Sequence, residues 1–317
     1  MTRLLPVTVS RREDIVADAG RFNFFLDSAA RGTINTRSFA GEHTVSLDPE
    51  NTAGLSFWTK DPENLVSFFK SGRREILSGF CTGGKWRLEL QVTVTGLGGT
   101  CLEPGVPDPE QVLTDLNNLV QQTPFPKENI IWRFDPVIIT EDFPVSFWKT
   151  TFLNLAAGIS AAGIESCIFS FMDSCASRGR PGILSRFRER GIPEPEEFPP
   201  PDSHPESLRT AEQYAGSRHR ELLTFMADAA EDRGISLSCC HDTYDRDNPV
   251  LSGFSELKTI RRGSCTDAER YERIWGIPVS RAKFAGRSGG CGCTASRDAG
   301  RIDTDCPRCV YCYVTRK

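Results

Sequence analysis

Six short apolar runs, at 5–10, 54–59, 86–95, 130–134, 165–171 and 235–240, constrain this chain more than any other feature. Each ends in a polar cluster and leads into a helix-forming stretch or a long loop. The helical stretches are expected near 12–30, 62–72, 108–122, 145–163 and 207–233. Asp108-Pro109-Glu110 supplies an N-cap, a first-turn proline and an early acid, and Gly234 stands where a C-cap belongs. Strands that alternate with helices predict parallel βαβ units. Six units are too few for a complete eightfold barrel, so the expected fold is α/β, a partial (β/α)6 TIM-like barrel. Functional side chains should then gather at the carboxyl ends of the strands.

Those ends read Ser10-Arg11-Arg12-Glu13-Asp14, Trp58-Thr59-Lys60-Asp61, Thr95-Gly96-Leu97-Gly98, Arg133-Phe134-Asp135, Met172-Asp173 and Cys240-His241-Asp242. Taken singly, each is a helix cap or a solvated loop start. Together they predict a lined mouth. Residues 1–257 are expected to form the partial barrel, with a Pro-rich insertion at 179–206, and 258–317 a cysteine-rich tail closing the mouth. No apolar run is long enough to span a bilayer. The first residues lack a hydrophobic segment of signal-peptide length. A cytoplasmic protein with no membrane partner is therefore expected.

Seven of the twelve cysteines follow residue 239, and five fall within Cys291–Cys312. Clustered thiols in such a chain read as metal or redox ligands rather than as a disulfide scaffold. Cys306, Cys309 and Cys312 have C-x2-C-x2-C spacing, by which one tight loop can ligate three irons of a [4Fe–4S] cluster. The fourth iron, left open, could chelate S-adenosylmethionine, whose one-electron cleavage gives a radical that abstracts hydrogen. A zinc site on Cys291, Cys293, Cys306 and Cys309 is the competing assignment. Cys240, Cys265, Cys291 and Cys293 make a ligand set for a second cluster, with small buried hydrophobes as the alternative for Cys240 and Cys265.

The net charge of −4 provides no global field for nucleic acid, but Lys258, Arg261, Arg262, Arg270, Arg273, Arg281, Lys283 and Arg287 make a basic run. Such a run is usually a solvated face. It nevertheless keeps open a non-catalytic reading, a zinc- or iron–sulfur-stabilised binding module contacting a partner or nucleic acid. A hydrolase or isomerase barrel is a third reading, with no Ser-His-Asp motif to support it. Gly96-Leu-Gly-Gly-Thr100 lacks the lysine and spacing of a phosphate loop.

Ser10-Arg-Arg-Glu-Asp-Ile15, Phe57-Trp-Thr-Lys-Asp-Pro62, Val94-Thr-Gly-Leu-Gly98, Ile131-Trp-Arg-Phe-Asp-Pro136, the surroundings of Cys240 and Cys265, and Gly290-Cys-Gly-Cys293 through Cys312-Tyr313 resemble the bacterial domain of unknown function 1848 family. The likeness runs over nearly the whole chain apart from the Pro-rich insertion. The cysteine loop is similar to that of radical S-adenosylmethionine enzymes, in which an aromatic residue commonly precedes the third cysteine, as Tyr311 does here. Segments 57–62 and 133–136 distantly resemble spore photoproduct lyase. The usual loop is C-x3-C-x2-C near the N-terminus. Here it is C-terminal, and Asp305 stands where the relatives carry the first cysteine.

The resemblance implies a radical enzyme acting on a small-molecule or anionic substrate, supplied with electrons by a donor such as ferredoxin or flavodoxin. Arg11, Arg12 and Lys60 would bind the cofactor or an anionic substrate, with Gly96 and Gly98 approaching its methionine end. Arg133, Asp135 and Asp173 would handle hydrogen bonds or protons, an ion-paired strand end being the alternative for the first two.

Overall fold

The computed structural model describes residues 3–38, 40–172, 182–195, 218–239, 260–283, 292–302, 306, 309–312 and 314. Their strands are β1 (Val7–Val9), β2 (Thr33–Ser38), β3 (Gly41–Ser46), β4 (Leu55–Thr59), β5 (Cys81–Thr82), β6 (Lys85–Trp86), β7 (Leu88–Thr93), β8 (Ile130–Val137), β9 (Ser166–Phe171), β10 (Ser236–Cys239), β11 (Arg261–Arg262) and β12 (Arg297–Asp298). The α-helices are α1 (Ala19–Arg31), α2 (Glu63–Lys70), α3 (Pro109–Gln122), α4 (Val145–Ala161), α5 (Gly182–Glu189), α6 (Arg218–Glu231) and α7 (Ala268–Trp275).

Eight strands form one sheet in the order β11-β10-β9-β8-β7-β4-β1-β12. Every neighbouring pair is parallel. All six expected strands are present, but the count of six is corrected to eight. The tail contributes β11 and β12, each only two residues long and so without a hydrophobic period to read. The last strand lies beside the first, yet the sheet is not closed: β11 and β12 are its two edges and share no ladder. Flanking residues link these edges instead. Thr294 N donates to Thr266 O (2.9 Å), and Thr266 Oγ1 donates to Thr294 O (2.7 Å). The hairpins β2–β3 and β5–β6 stand outside the sheet.

Local sequence explains the helix ends. Asp18 caps α1 by accepting from Arg21 N, and Gly32 closes it in the left-handed region. Asp108 caps α3 with Pro109 in its first turn, and Asp267 caps α7 by accepting from Glu269 N and Arg270 N.

Strand side chains alternate between faces. Val7, Val9, Leu55, Phe57, Leu88, Leu90, Val92, Trp132, Phe134, Phe169 and Phe171 enter the main core. Within that core Trp132 stacks on Phe152 of α4, with ring centroids 5.1 Å apart, and Phe134 meets Trp148 edge-on at 5.5 Å. The intervening residues Thr8, Ser56, Glu89, Gln91 and Arg133 are also buried, but on the opposite face. One face of the sheet is thus apolar and helix-covered, and the other is buried and largely polar, with a small apolar group around Ile131 and Ile168.

A hydrogen-bond chain organises the polar face. Arg270 Nε donates to Glu89 Oε2 (2.6 Å), and Glu89 Oε1 accepts from Ser56 Oγ (2.7 Å) and Gln91 Nε2 (2.8 Å). Gln91 Oε1 accepts from Arg133 (3.1 Å), and Gln91 Nε2 also donates to the carbonyl of Cys265 (2.6 Å). Every member is satisfied, as a buried network requires.

Buried His219 of α6 packs edge-on against Phe171, with ring centroids 4.7 Å apart. Burial, reinforced by the Arg218 charge, lowers its pKa from 6.5 to about 4. The unfolded chain therefore binds more protons between those values. The stability gained by keeping the ring neutral is complete above about pH 6.5 and is lost as pH falls through 4. His219→Gln is expected to flatten the fall in stability between pH 7 and 4 by about 3 kcal/mol, measured by urea unfolding. An unchanged slope would refute this role.

Among the described residues no helix is long and apolar enough to cross a membrane. Part of the expected helix at 207–233 and much of the Pro-rich insertion lie outside the described residues.

Candidate cysteine-lined active site

At the carboxyl ends of β1, β4, β7, β8 and β9 lies a cavity of about 310 Å3. Its wall takes Arg11 and Arg12 from the turn after β1, Trp58 from β4 and Lys60 from just beyond it, Arg133 and Asp135 from β8, and Ser170 from β9. The other side of the wall is the tail: Cys265, Cys306, Cys309 and Cys312. Strand-end residues and tail cysteines therefore line one cavity.

The basic side chains are held by specific partners. Arg133 is 5% exposed, pairs with Asp135 and lies over the Trp58 ring at 4.7 Å. Arg11 lies over the same ring at 5.6 Å. Asp135 also accepts from Ser170 Oγ. The Arg133–Asp135 pair thus has the ion-paired arrangement weighed as the alternative, while both residues still face the cavity. Arg12 pairs with Asp298 of β12 at 3.3 Å. Burial raises the Asp298 carboxyl to about 6 against the opposing pull of Arg12 and Arg11.

Lys60 Nζ donates to Glu103 Oε1 (2.8 Å) and to Tyr311 Oη (3.0 Å), and Tyr311 in turn donates to Glu103. Burial alone would lower the Lys60 pKa, but Glu103, Cys309 and Asp14 raise it overall, so the ammonium persists. Burial pushes the Cys309 thiol up to about 12, opposed by Lys60. A thiolate there needs positive charge, which a bound metal supplies and the surrounding cations assist.

Backbone and side-chain bonds anchor the described residues of the tail. Ile302 N donates to Arg37 O, Val310 N to Leu102 O, and Arg186 of α5 to Cys312 O (2.6 Å). Cys265 is held at the cavity by Gln91, and by Arg270, whose guanidinium also reaches its carbonyl (3.2 Å).

Three expected site residues, Asp173, Cys240 and Cys291, lie outside the described residues. Cys265 and Cys293 pack in one small buried group with Ile131, Ile168 and the edge of Trp58. Cys265 faces the cavity and Cys293 is absent from its wall. Among the described residues no three His, Cys, Asp or Glu side chains are already grouped to hold a single metal ion.

Gly96 and Gly98 do not line the cavity. A Cβ at Gly96 would meet Thr151 at 2.2 Å, and one at Gly98 would meet the Pro107 carbonyl at 2.0 Å. Their missing side chains accommodate protein rather than a cofactor. The basic run is not one face: Arg270 turns inward to Glu89, while Arg281 pairs outside with Glu269 and Glu272.

The sequence gives no role to Glu103 or Ser170, and Trp58 enters it only within the polar strand ends. Trp58 and Ser170 were nonetheless marked by strand alternation, because each lies on the polar face one or two residues from a strand end. Glu103 had no such signal, since its partners Lys60 and Tyr311 are distant in the chain.

A family model described as Domain of unknown function (DUF1848) matches residues 7–314. No curated protein and no solved structure matches the chain.

Proposed function

The chain belongs to the Domain of unknown function (DUF1848) family, a description that assigns no reaction, and we propose from the cavity that it is an iron–sulfur enzyme of the radical S-adenosylmethionine type. The observation that carries this reading is the meeting of Cys306, Cys309 and Cys312 with four cationic side chains in one cavity at the strand ends. Its volume lies at the lower end of the range of small-molecule sites, about 300–1,000 Å3. The donor set suits a cluster better than a lone ion, because a cluster asks for one thiolate per iron rather than several on one metal.

In this reading Cys306, Cys309 and Cys312 hold a [4Fe–4S] cluster. Bound there with one open iron, the cluster would supply one-electron reduction of S-adenosylmethionine and so hydrogen abstraction from a substrate. The chain's own residues do the rest. Lys60 offsets the thiolate charge and, with Glu103, fixes Tyr311 and hence the loop. Arg11 and Arg133 each lie over the Trp58 ring and present positive charge to an anionic group. Asp135, locked by Arg133 and Ser170, orients Arg133. The accompanying fold is a barrel-like curl whose seam between β11 and β12 carries no strand ladder and is spanned by Thr266 and Thr294.

A second reading has one specific observation behind it. Cys265 lines the same cavity, and a fourth thiolate would close the fourth iron. That would make a fully ligated, non-catalytic cluster stabilising a binding module.

Anaerobic reconstitution with iron and sulfide tests the proposal. About four irons per chain are expected for one cubane and about eight for two. The low-temperature EPR signal of the reduced protein should change on adding S-adenosylmethionine. Stoichiometric zinc without iron, or a cluster indifferent to the cofactor, would overturn the enzymatic reading.

A further inference from the structure

Arg11 and Arg12 line two cavities. Besides the cysteine cavity they border a cleft of about 490 Å3, whose other walls are Ser38, His43, Thr44 and Val45 of the β2–β3 hairpin and the segment Ser296–Asp298. Two atoms in these walls are buried without a hydrogen-bond partner: Ser296 Oγ and Asp298 Oδ2. Ser296 just precedes β12 and Asp298 ends it, and both line the cleft. The other Asp298 oxygen accepts from Gly300 N at 3.1 Å. Oδ2 lies 3.3 Å from Arg12 Nε, charge-paired but not hydrogen-bonded. Buried polar atoms left unpaired cost stability, and such orphans are found where a bound group completes them.

The lining chemistry narrows the ligand. Two guanidiniums on the shared wall call for an anion, and phosphate matches their planar fork. A bare anion can accept from Ser296 but would leave the Asp298 carboxylate without a donor and be repelled by it. A ligand that also carries hydroxyls resolves both problems by donating to Asp298 and sharing a hydrogen bond with Ser296. An apolar ligand would leave Ser296 Oγ and Asp298 Oδ2 without a hydrogen bond.

We propose that this cleft binds a phosphate-bearing, hydroxylated small molecule of the sugar-phosphate or nucleotide kind, with its phosphate on Arg11 and Arg12 and its hydroxyls on Ser296 and Asp298. The phosphate sits at the border of the two cavities, so the cleft anchors a ligand beside the cysteine cavity. The inference rests on this cleft's own charges and unpaired atoms and goes beyond the iron–sulfur reading.

The test is calorimetric titration of the full, iron-free chain with ribose 5-phosphate, ribose and inorganic phosphate. Ribose 5-phosphate should bind saturably and at least about tenfold more tightly than either fragment. Arg12→Gln and Ser296→Ala should each weaken it about tenfold. Ser296→Ala removes one hydroxyl oxygen and carries the test if the arginine variant fails to fold. No saturable binding, equal binding of phosphate and ribose 5-phosphate, or an unaffected Ser296→Ala variant would overturn the proposal. Because iron-free protein is used, failure here leaves the cluster reading standing, and loss of the cluster reading leaves this one standing.

Discussion

Glu89→Ala is expected to destabilise the protein by about 3–5 kcal/mol, the usual cost of stranding one member of a buried ion pair. Glu89 is fully buried, and its partner Arg270 is 12% exposed at 2.6 Å. Burial alone would lower the Arg270 pKa and Glu89 raises it overall; a guanidinium is so strong a base that it stays charged even when that partner is removed. The Ala variant leaves that charge without its hydrogen-bonded carboxylate, with Asp267 the remaining acid near enough to influence it and only the Ser264 and Cys265 carbonyls in hydrogen-bond contact among the described residues. Replacing both residues, as Glu89→Leu with Arg270→Met, removes the desolvation cost along with the attraction, so the double variant should recover much of the loss. A double-mutant cycle by urea unfolding measures the coupling. A single-variant loss below about 1 kcal/mol would mean that the pair is solvated rather than buried.

This pair also shows what was legible in the sequence. The six central strands could be read because each is a run of apolar residues bounded by polar ones. The caps Asp108 and Gly234 could be read because capping is local. Arg270 could not be read: it sits in a run of basic residues that looks like a solvated face, and only the fold brings it 2.6 Å from Glu89, far away in the chain. The same holds for β11 and β12. Two residues carry no period, so their place at the sheet edges depends wholly on β10 and β1 being there first. Leu88-Glu-Leu-Gln-Val-Thr93 did announce a polar face by strict alternation, a pattern at odds with a strand buried in apolar surroundings on both sides. At the site, Arg11, Arg12, Lys60, Arg133 and Asp135 were legible as strand ends. Gly96 and Gly98 misdirected because a glycine required by a neighbouring side chain, Thr151, or backbone carbonyl, that of Pro107, looks in sequence like one required by a ligand.

Cys309→Ala is expected to drop reconstituted iron from about four per chain to under about one, whereas Cys265→Ala should keep about four and keep the spectral response to S-adenosylmethionine. The contrast follows from where the two thiols sit. Cys309 lies beside the Lys60 ammonium, with Cys306 and Cys312 close enough to influence its charge. Cys265 sits in a small apolar group with Ile131, Ile168 and Cys293, held at the cavity mainly through its backbone carbonyl. Alanine preserves that carbonyl and removes only the sulfur, so the bonds from Gln91 and Arg270 remain and the fold should be undisturbed. If Cys265→Ala instead loses iron as fully as Cys309→Ala, Cys265 is the fourth ligand, no iron is open, and the chain carries a closed cluster. If it keeps a cluster and first acquires a response to S-adenosylmethionine, the native cluster is closed by Cys265 in the same way. Retention of both iron and response leaves Cys306, Cys309 and Cys312 as a three-thiolate set, the condition that hydrogen-abstraction chemistry at this cavity requires.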